Sequence, residues 1–290
     1  GFESLRAHKL SSRCLSHRGL FFFRDLAHKQ EKCIVKADPW IYSRAMTYQL
    51  RDLKDSVVVI TGATSGIGAA AARQLVELGC KVVLNARNED RLKEMVAELG
   101  AANATYFAGD SAIPDVSRSV AKKAIETFGT IDCVVPNAGV GMYGSVLDYS
   151  DDEVTRMMRT NYEGTVHIVR ATLPAMLEKE AGDIVIVASA AGFRGGPTEA
   201  VYAGTKHAQV GFAGSLDREL REKGVRVALV CPAATETEFA LNVGRIAGEP
   251  RQATFLRPDD VAFQIVQIMR QPRTVRTHIW TLWSIHQPNP

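Results

Sequence analysis

Thr61-Gly62-Ala63-Thr64-Ser65-Gly66-Ile67-Gly68 follows the apolar run Val57-Val58-Val59-Ile60 and precedes the small residues Ala69 to Ala72. An apolar run, a glycine-rich turn and a helix opening on small side chains make a strand, a tight turn and a helix packed closely on that strand. Glycines at 62, 66 and 68 let the backbone approach a ligand, and the first turn of the helix presents free N–H groups at its positive end. That is the chemistry a dinucleotide pyrophosphate needs. Ile67 reads as the apolar spacer packing under the loop, beside Thr64 and Ser65. A strand-to-helix turn that binds nothing is the alternative reading.

Working outward from Ser56, short apolar runs alternate with longer amphipathic ones. Val57 to Ile60, Lys81 to Asn85, Thr105 to Ala108, Ile131 to Val135, Asp183 to Ala188 and Val225 to Val230 read as strands, and Thr277 to Ile285 as a seventh. Gly66 to Leu78, Glu89 to Leu99, Val116 to Phe128, Asp152 to Leu177, Ala200 to Glu222 and Val261 to Met269 read as helices. The alternation predicts an α/β doubly wound (Rossmann) parallel seven-stranded sheet with helices on both faces and a ligand crevice at the carboxyl ends of the strands. Trp280 and Trp283 are expected to be core or subunit-contact residues. No repeat, low-complexity tract or second domain is visible.

Of 290 residues, 46% are hydrophobic and 23% charged, which suits one large soluble domain. No stretch reaches the roughly 18 apolar residues of a membrane span. The formal charge is +3, but nine of the 35 basic and only four of the 32 acidic residues fall in residues 1 to 45. The remainder is close to neutral, so neither a nucleic-acid nor a membrane partner is expected. Five scattered cysteines read as reduced thiols, and seven equally scattered histidines give no metal spacing. A cytoplasmic location is expected, or an organellar one if the basic, Ser-containing residues 1 to 45 are a leader. A second reading of Gly1-Phe2-Glu3-Ser4 and of Leu5-Arg6-Ala7-His8-Lys9 after it is translated transfer-RNA gene sequence, with Met46 as the true start; a functional arm is a third. Residues 1 to 45 are thus expected to be a disordered extension, and residues 46 to 290 a single domain.

Tyr202-Ala203-Gly204-Thr205-Lys206 is the second informative stretch. At i and i+4 on a helix, Tyr202 and Lys206 share one face, where an ammonium lowers the pKa of a neighbouring phenol. Ser189, at the end of the run Ile184 to Ala188, carries a hydroxyl able to polarise a substrate oxygen while Tyr202 moves a proton. Read singly, each of these residues has a structural explanation, as a core ring, a surface charge or a turn residue.

Together, and with Asn161 upstream, they resemble the short-chain dehydrogenase/reductase family. The Gly-x-x-x-Gly-x-Gly spacing is similar to its compact single-domain branch, with general likeness to 3-oxoacyl-carrier-protein reductases along residues 52 to 270. The resemblance implies that Asn161, Ser189, Tyr202 and Lys206 are catalytic, with Asn161 distorting its helix and extending a proton relay toward Lys206. Lys206 and Tyr202 would also hold the nicotinamide ribose. Ala86 stands where NAD-preferring relatives carry Asp, and Arg87 follows it; a guanidinium can grip a 2′-phosphate that a carboxylate repels, so NADP(H) is expected. By the same likeness, Asp110 and Ser111 face the adenine, Asn137-Ala138-Gly139 sits beside the crevice, Pro232 belongs to the cofactor site and Thr237 reaches the carboxamide. Pro136 and Ala233 depart from the family pattern at the leading Asn and at a Gly.

The reaction implied is NADPH-dependent interconversion of a small-molecule carbonyl and a secondary alcohol. The alternatives are an acyl-carrier-protein thioester reductase or a non-catalytic NADP-binding regulator. Residues 239 to 254 are expected to cover the substrate pocket, with Gly141, Met142, Tyr143 and Phe193-Arg194-Gly195-Gly196 lining its other walls. A homo-oligomer, tetramer or dimer, is implied as well.

Overall fold

The computed structural model describes residues 49 to 241, 243 to 246 and 248 to 287. The expectations for residues 1 to 45, and the start proposed at Met46, lie outside the described residues. In chain order the elements are β1 (Val57–Thr61), α1 (Gly66–Glu77), β2 (Lys81–Ala86), α2 (Glu89–Leu99), β3 (Ala104–Ala108), α3 (Pro114–Phe128) and β4 (Cys133–Val135). Then come α4 (Asp151–Met158), a π-helical turn (Arg159–Glu163), α5 (Gly164–Glu178), β5 (Gly182–Val187), α6 (Ala200–Leu220), β6 (Val225–Pro232), α7 (Pro258–Arg270) and β7 (Ile279–Leu282).

All seven strands are parallel, in the order β3-β2-β1-β4-β5-β6-β7. The central strands β1, β4 and β5 are buried along their whole length, which is why they read as unbroken Val/Ile runs rather than alternating ones. One face of the sheet packs on α1 and α7 through Leu75, Val261 and Ile265, and the other on α3, α5 and α6 through Val120, Ile168 and Leu216. Edge strand β7 alternates exposed and half-buried positions instead. Between β1 and β4 the chain changes its direction of winding, and the crevice opens at that switch point.

Local chemistry sets the ends. Asn88 caps α2 by accepting from the Arg91 N–H, Ser150 and Glu153 form a reciprocal capping box on α4, and Pro114 and Pro258 open α3 and α7. The single helix expected over Asp152 to Leu177 is in fact two, separated by the π turn. At the amino ends of the strands Asp183, almost fully buried, pairs with Arg51, Arg226 and Arg273 at 3.1, 2.7 and 3.4 Å. Those bonds tie the chain before β1 and after α7 to β5 and β6.

Candidate active site

A cleft of about 890 Å³ runs along the carboxyl ends of the strands. At one end it is lined by Gly62, Thr64, Ser65, Gly66 and Ile67, with Ala86, Arg87, Asp110 and Ser111 beside them. Ser65, at the N-cap of α1, makes no side-chain capping bond, and the first turn carries no acid. Its N–H groups are therefore not taken by a side-chain cap, and no acid of the helix's own first turn opposes its positive end. This donor set fits a pyrophosphate. Gly62 adopts a left-handed φ of 64°. Gly68 does not line the cleft: a Cβ there would collide with the Gly62 carbonyl, so its role is to let α1 lie against the loop.

Asn137 works mainly as a brace. Its Nδ2 donates to the carbonyls of Thr61 and Gly62 at 3.0 and 3.1 Å, and its N–H and that of Ala138 donate to the Thr61 hydroxyl, both at 3.0 Å. The glycine loop is thus fastened to the end of β4, and Asn137, Ala138 and Gly139 line the cleft floor. Arg87 is exposed at the end of β2 and lines the cleft, and the neighbouring Asn88 is occupied with capping α2. Asp110 accepts from the Ala112 N–H and shapes the turn into α3. Pro232 and Thr237 also line the cleft; Thr237 Cγ2 sits over the loop, 2.9 Å from where a Cβ on Gly66 would stand.

At the other end Ser189, Tyr202 and Lys206 converge from β5 and α6. The Ser189 hydroxyl is fixed by the Ala191 N–H at 3.1 Å and lies 3.4 Å from the Pro232 carbonyl. Lys206 is buried, with its ammonium donating to the Val187 carbonyl at 3.2 Å and to Gln209 Oε1 at 2.9 Å. Burial lowers its pKa to about 8. Tyr202 is edge-on to Tyr143 and tilted against Phe239, ring centroids 5.9 and 5.6 Å away. Its phenol is pushed up by burial, with Tyr143 adding to the rise and the Ser189 hydroxyl opposing it. The direction is opposite to the lowering expected from the ammonium, and its largest cause is loss of hydration around the ring.

Asn161 is fully buried in the π turn and does not line the cleft. Its side chain grips Val140, accepting from the N–H and donating to the carbonyl, both at 2.8 Å, and donates to Thr205 Oγ1 at 3.0 Å. Its carbonyl accepts from Thr165 Oγ1 and Gln209 Nε2 at 2.8 and 2.9 Å. Those bonds, made outside the helical ladder, account for the break between α4 and α5.

Residues 56 to 245 match the family model described as short chain dehydrogenase. The chain belongs to that family. An uncharacterised oxidoreductase of Staphylococcus epidermidis is 34% identical over 230 residues, covering 79% of this chain and 97% of that protein. An alcohol dehydrogenase from Thermococcus sibiricus, solved with 5-hydroxy-NADP, superposes with a TM-score of 0.75 at 30% identity over 82% of this chain and all of its own. A short-chain dehydrogenase/reductase from Burkholderia phymatum, solved with NAD, gives 0.72 at 29% identity over 80% and 90%. Membership makes this an oxidoreductase whose structural neighbours bind nicotinamide dinucleotides.

Other expectations for this family member meet the structure unevenly. Gly141, Met142, Tyr143, Arg194 and Gly196 line the cleft, while Phe193 and Gly195 do not. Phe239, Ala240, Leu241, Val243 and Arg245 close it from the segment after β6. Trp280 packs on the core, but Trp283, expected in the core or at a subunit contact, lines the cleft because the chain turns over the carboxyl end of the sheet just after β7. Gln209, buried and bonded to Lys206 at 2.9 Å, is the contact that pattern reading missed. The available signal was an amide three residues after Lys206 on the helix face shared with Tyr202.

Proposed function

We propose that this chain is an NADP(H)-preferring oxidoreductase interconverting a small-molecule carbonyl and a secondary alcohol. The observation that carries the reading is the meeting of Ser189, Tyr202 and Lys206 at one end of the cleft whose other end is the uncapped glycine loop and Arg87. The nicotinamide cofactor, when bound, supplies or accepts the hydride. The chain supplies position and a proton. In the reducing direction the Ser189 hydroxyl hydrogen-bonds the substrate oxygen, and the Tyr202 hydroxyl donates its proton there as the alcohol forms. A phenol raised by burial holds that proton at neutral pH, which suits it as the acid. Lys206 keeps a positive charge beside Tyr202 and offers it to the ribose.

For the 2′-phosphate, Arg87 is the cation at the end of β2, and Ala86 leaves out the carboxylate that would repel it. The substrate end is walled by Tyr143, Phe239 and Met142, so the group beside the carbonyl meets apolar and aromatic surface. The test is oxidation of NADPH and of NADH by the purified protein over ketones, aldehydes, quinones and acyl thioesters, with Tyr202→Phe alongside. Turnover lost in Tyr202→Phe and faster with NADPH supports the proposal; tight NADPH binding with no turnover on any carbonyl class points to the regulator instead.

A further inference from the structure

Gln209 lies on α6 one turn beyond Lys206, and its side chain is almost fully buried at 1% exposure. Its amide has a partner on each side. Oε1 accepts from the Lys206 ammonium at 2.9 Å, and Nε2 donates to the Asn161 carbonyl at 2.9 Å and to Thr165 Oγ1 at 2.7 Å. The orientation is dictated by its surroundings, because an ammonium can only donate and a carbonyl only accept; turning the amide over would set two donors and two acceptors face to face.

We propose that Gln209 is a positioning residue of this site, clamping the Lys206 ammonium to the backbone of the π turn and so fixing where its remaining N–H points. A lysine ammonium has three donors. The Val187 carbonyl on β5 and Gln209 Oε1 take two of them, and the third is left to the cleft that Lys206 lines. The same amide seals the Asn161 carbonyl, which Thr165 also covers, so the π turn and α6 are held by one side chain at the point where the site is built. A hydrogen bond to a charged donor in a buried place is among the stronger ones, and losing it leaves the charge with less support. The titratable groups facing the ammonium are Tyr202 from its own helix and the Cys231 thiol from β6; Arg159 and Glu163 of the π turn are exposed and pair with each other at 3.8 Å. The inference rests on the proposed reaction only for its kinetic consequence.

Two variants of the full chain, Gln209→Leu and Gln209→Glu, test it. The first removes the acceptor for the ammonium; the second keeps the shape and places a carboxylate against it. Lys206 is followed by a ¹³Cε-lysine NMR titration, its signal assigned by loss in Lys206→Arg. Its midpoint is expected to fall in Gln209→Leu and rise in Gln209→Glu, each by about one pH unit. With a turned-over carbonyl, kcat of Gln209→Leu is expected to drop about tenfold at pH 7, with a smaller change in KM. A Lys206 midpoint unmoved in both folded variants overturns the proposal; should Gln209→Leu fail to fold, an unmoved midpoint in Gln209→Glu does so alone. If the wild-type chain turns over no carbonyl, the proposed reaction fails while the titration still decides the role of Gln209.

Discussion

The Lys206 ammonium lies 5.7 Å from the centroid of the Tyr202 ring, and the two are drawn in opposite directions by the same burial, the ammonium toward neutrality and the phenol toward keeping its proton. A lysine lowered to about 8 is charged below that pH and neutral above it. Under the proposed reaction, kcat/KM for NADPH, which reports the free enzyme, is expected to hold steady below about pH 7.5 and fall as pH rises through about 8. A profile flat to about pH 9.5 would place the titrating group elsewhere. The stability effect has the opposite sign: between about 8 and the ordinary lysine value of 10.5 the unfolded chain binds more protons, so this residue makes the fold more stable as pH rises through that window.

Replacing Tyr202 with Phe keeps the ring that packs on Tyr143 and Phe239 and removes only the hydroxyl. Turnover should drop by roughly 10² to 10⁴-fold, the range spanned by a positioned general acid. Cofactor binding, followed by quenching of protein fluorescence, should change little. Retained turnover would mean that another group donates the proton.

Arg87 is exposed and lines the cleft at the end of β2, whereas Arg91, one turn along α2, is already paired with Glu238 at 3.2 Å. Ala86→Asp combined with Arg87→Leu should invert the NADPH to NADH ratio of kcat/KM. A charged hydrogen bond of about 1.5–3 kcal/mol corresponds to a loss of about tenfold to a hundredfold with NADPH. A ratio unchanged in this double variant would remove Arg87 from cofactor choice.

Asp183→Ala should destabilise the fold without touching the cleft. It strips the buried partner from Arg226 and from the more exposed Arg51 and Arg273. Breaking a buried pair by removing one member costs about 3 kcal/mol, taken at the low end because two of the three guanidinium groups reach solvent. Urea unfolding would show the midpoint falling; an unchanged midpoint would mean the three arginines find other acceptors.

Much of this architecture was legible in the chain. The runs around Val58, Val83, Ile184 and Val227 named their strands, because a strand covered on both faces has to be apolar throughout. Element ends were less legible: β4 is three residues rather than five, and β7 four rather than nine, since the length of a ladder depends on its neighbour. Of the candidate residues, Gly68 and Asn161 support the site from behind and do not face the cleft.

The sequence by itself determined the order of strands and helices, the glycine turn at the start of α1 and the face that Tyr202 shares with Lys206, because each depends on local periodicity and backbone freedom. Only the tertiary structure decided that Gln209 and Asn161, 48 residues apart, meet at 2.9 Å, that Trp283 reaches the cleft, and that burial pushes the Tyr202 phenol up. Hydrogen-bond partners and hydration are set by whatever the fold brings alongside, and no repeat of apolar and polar residues encodes them.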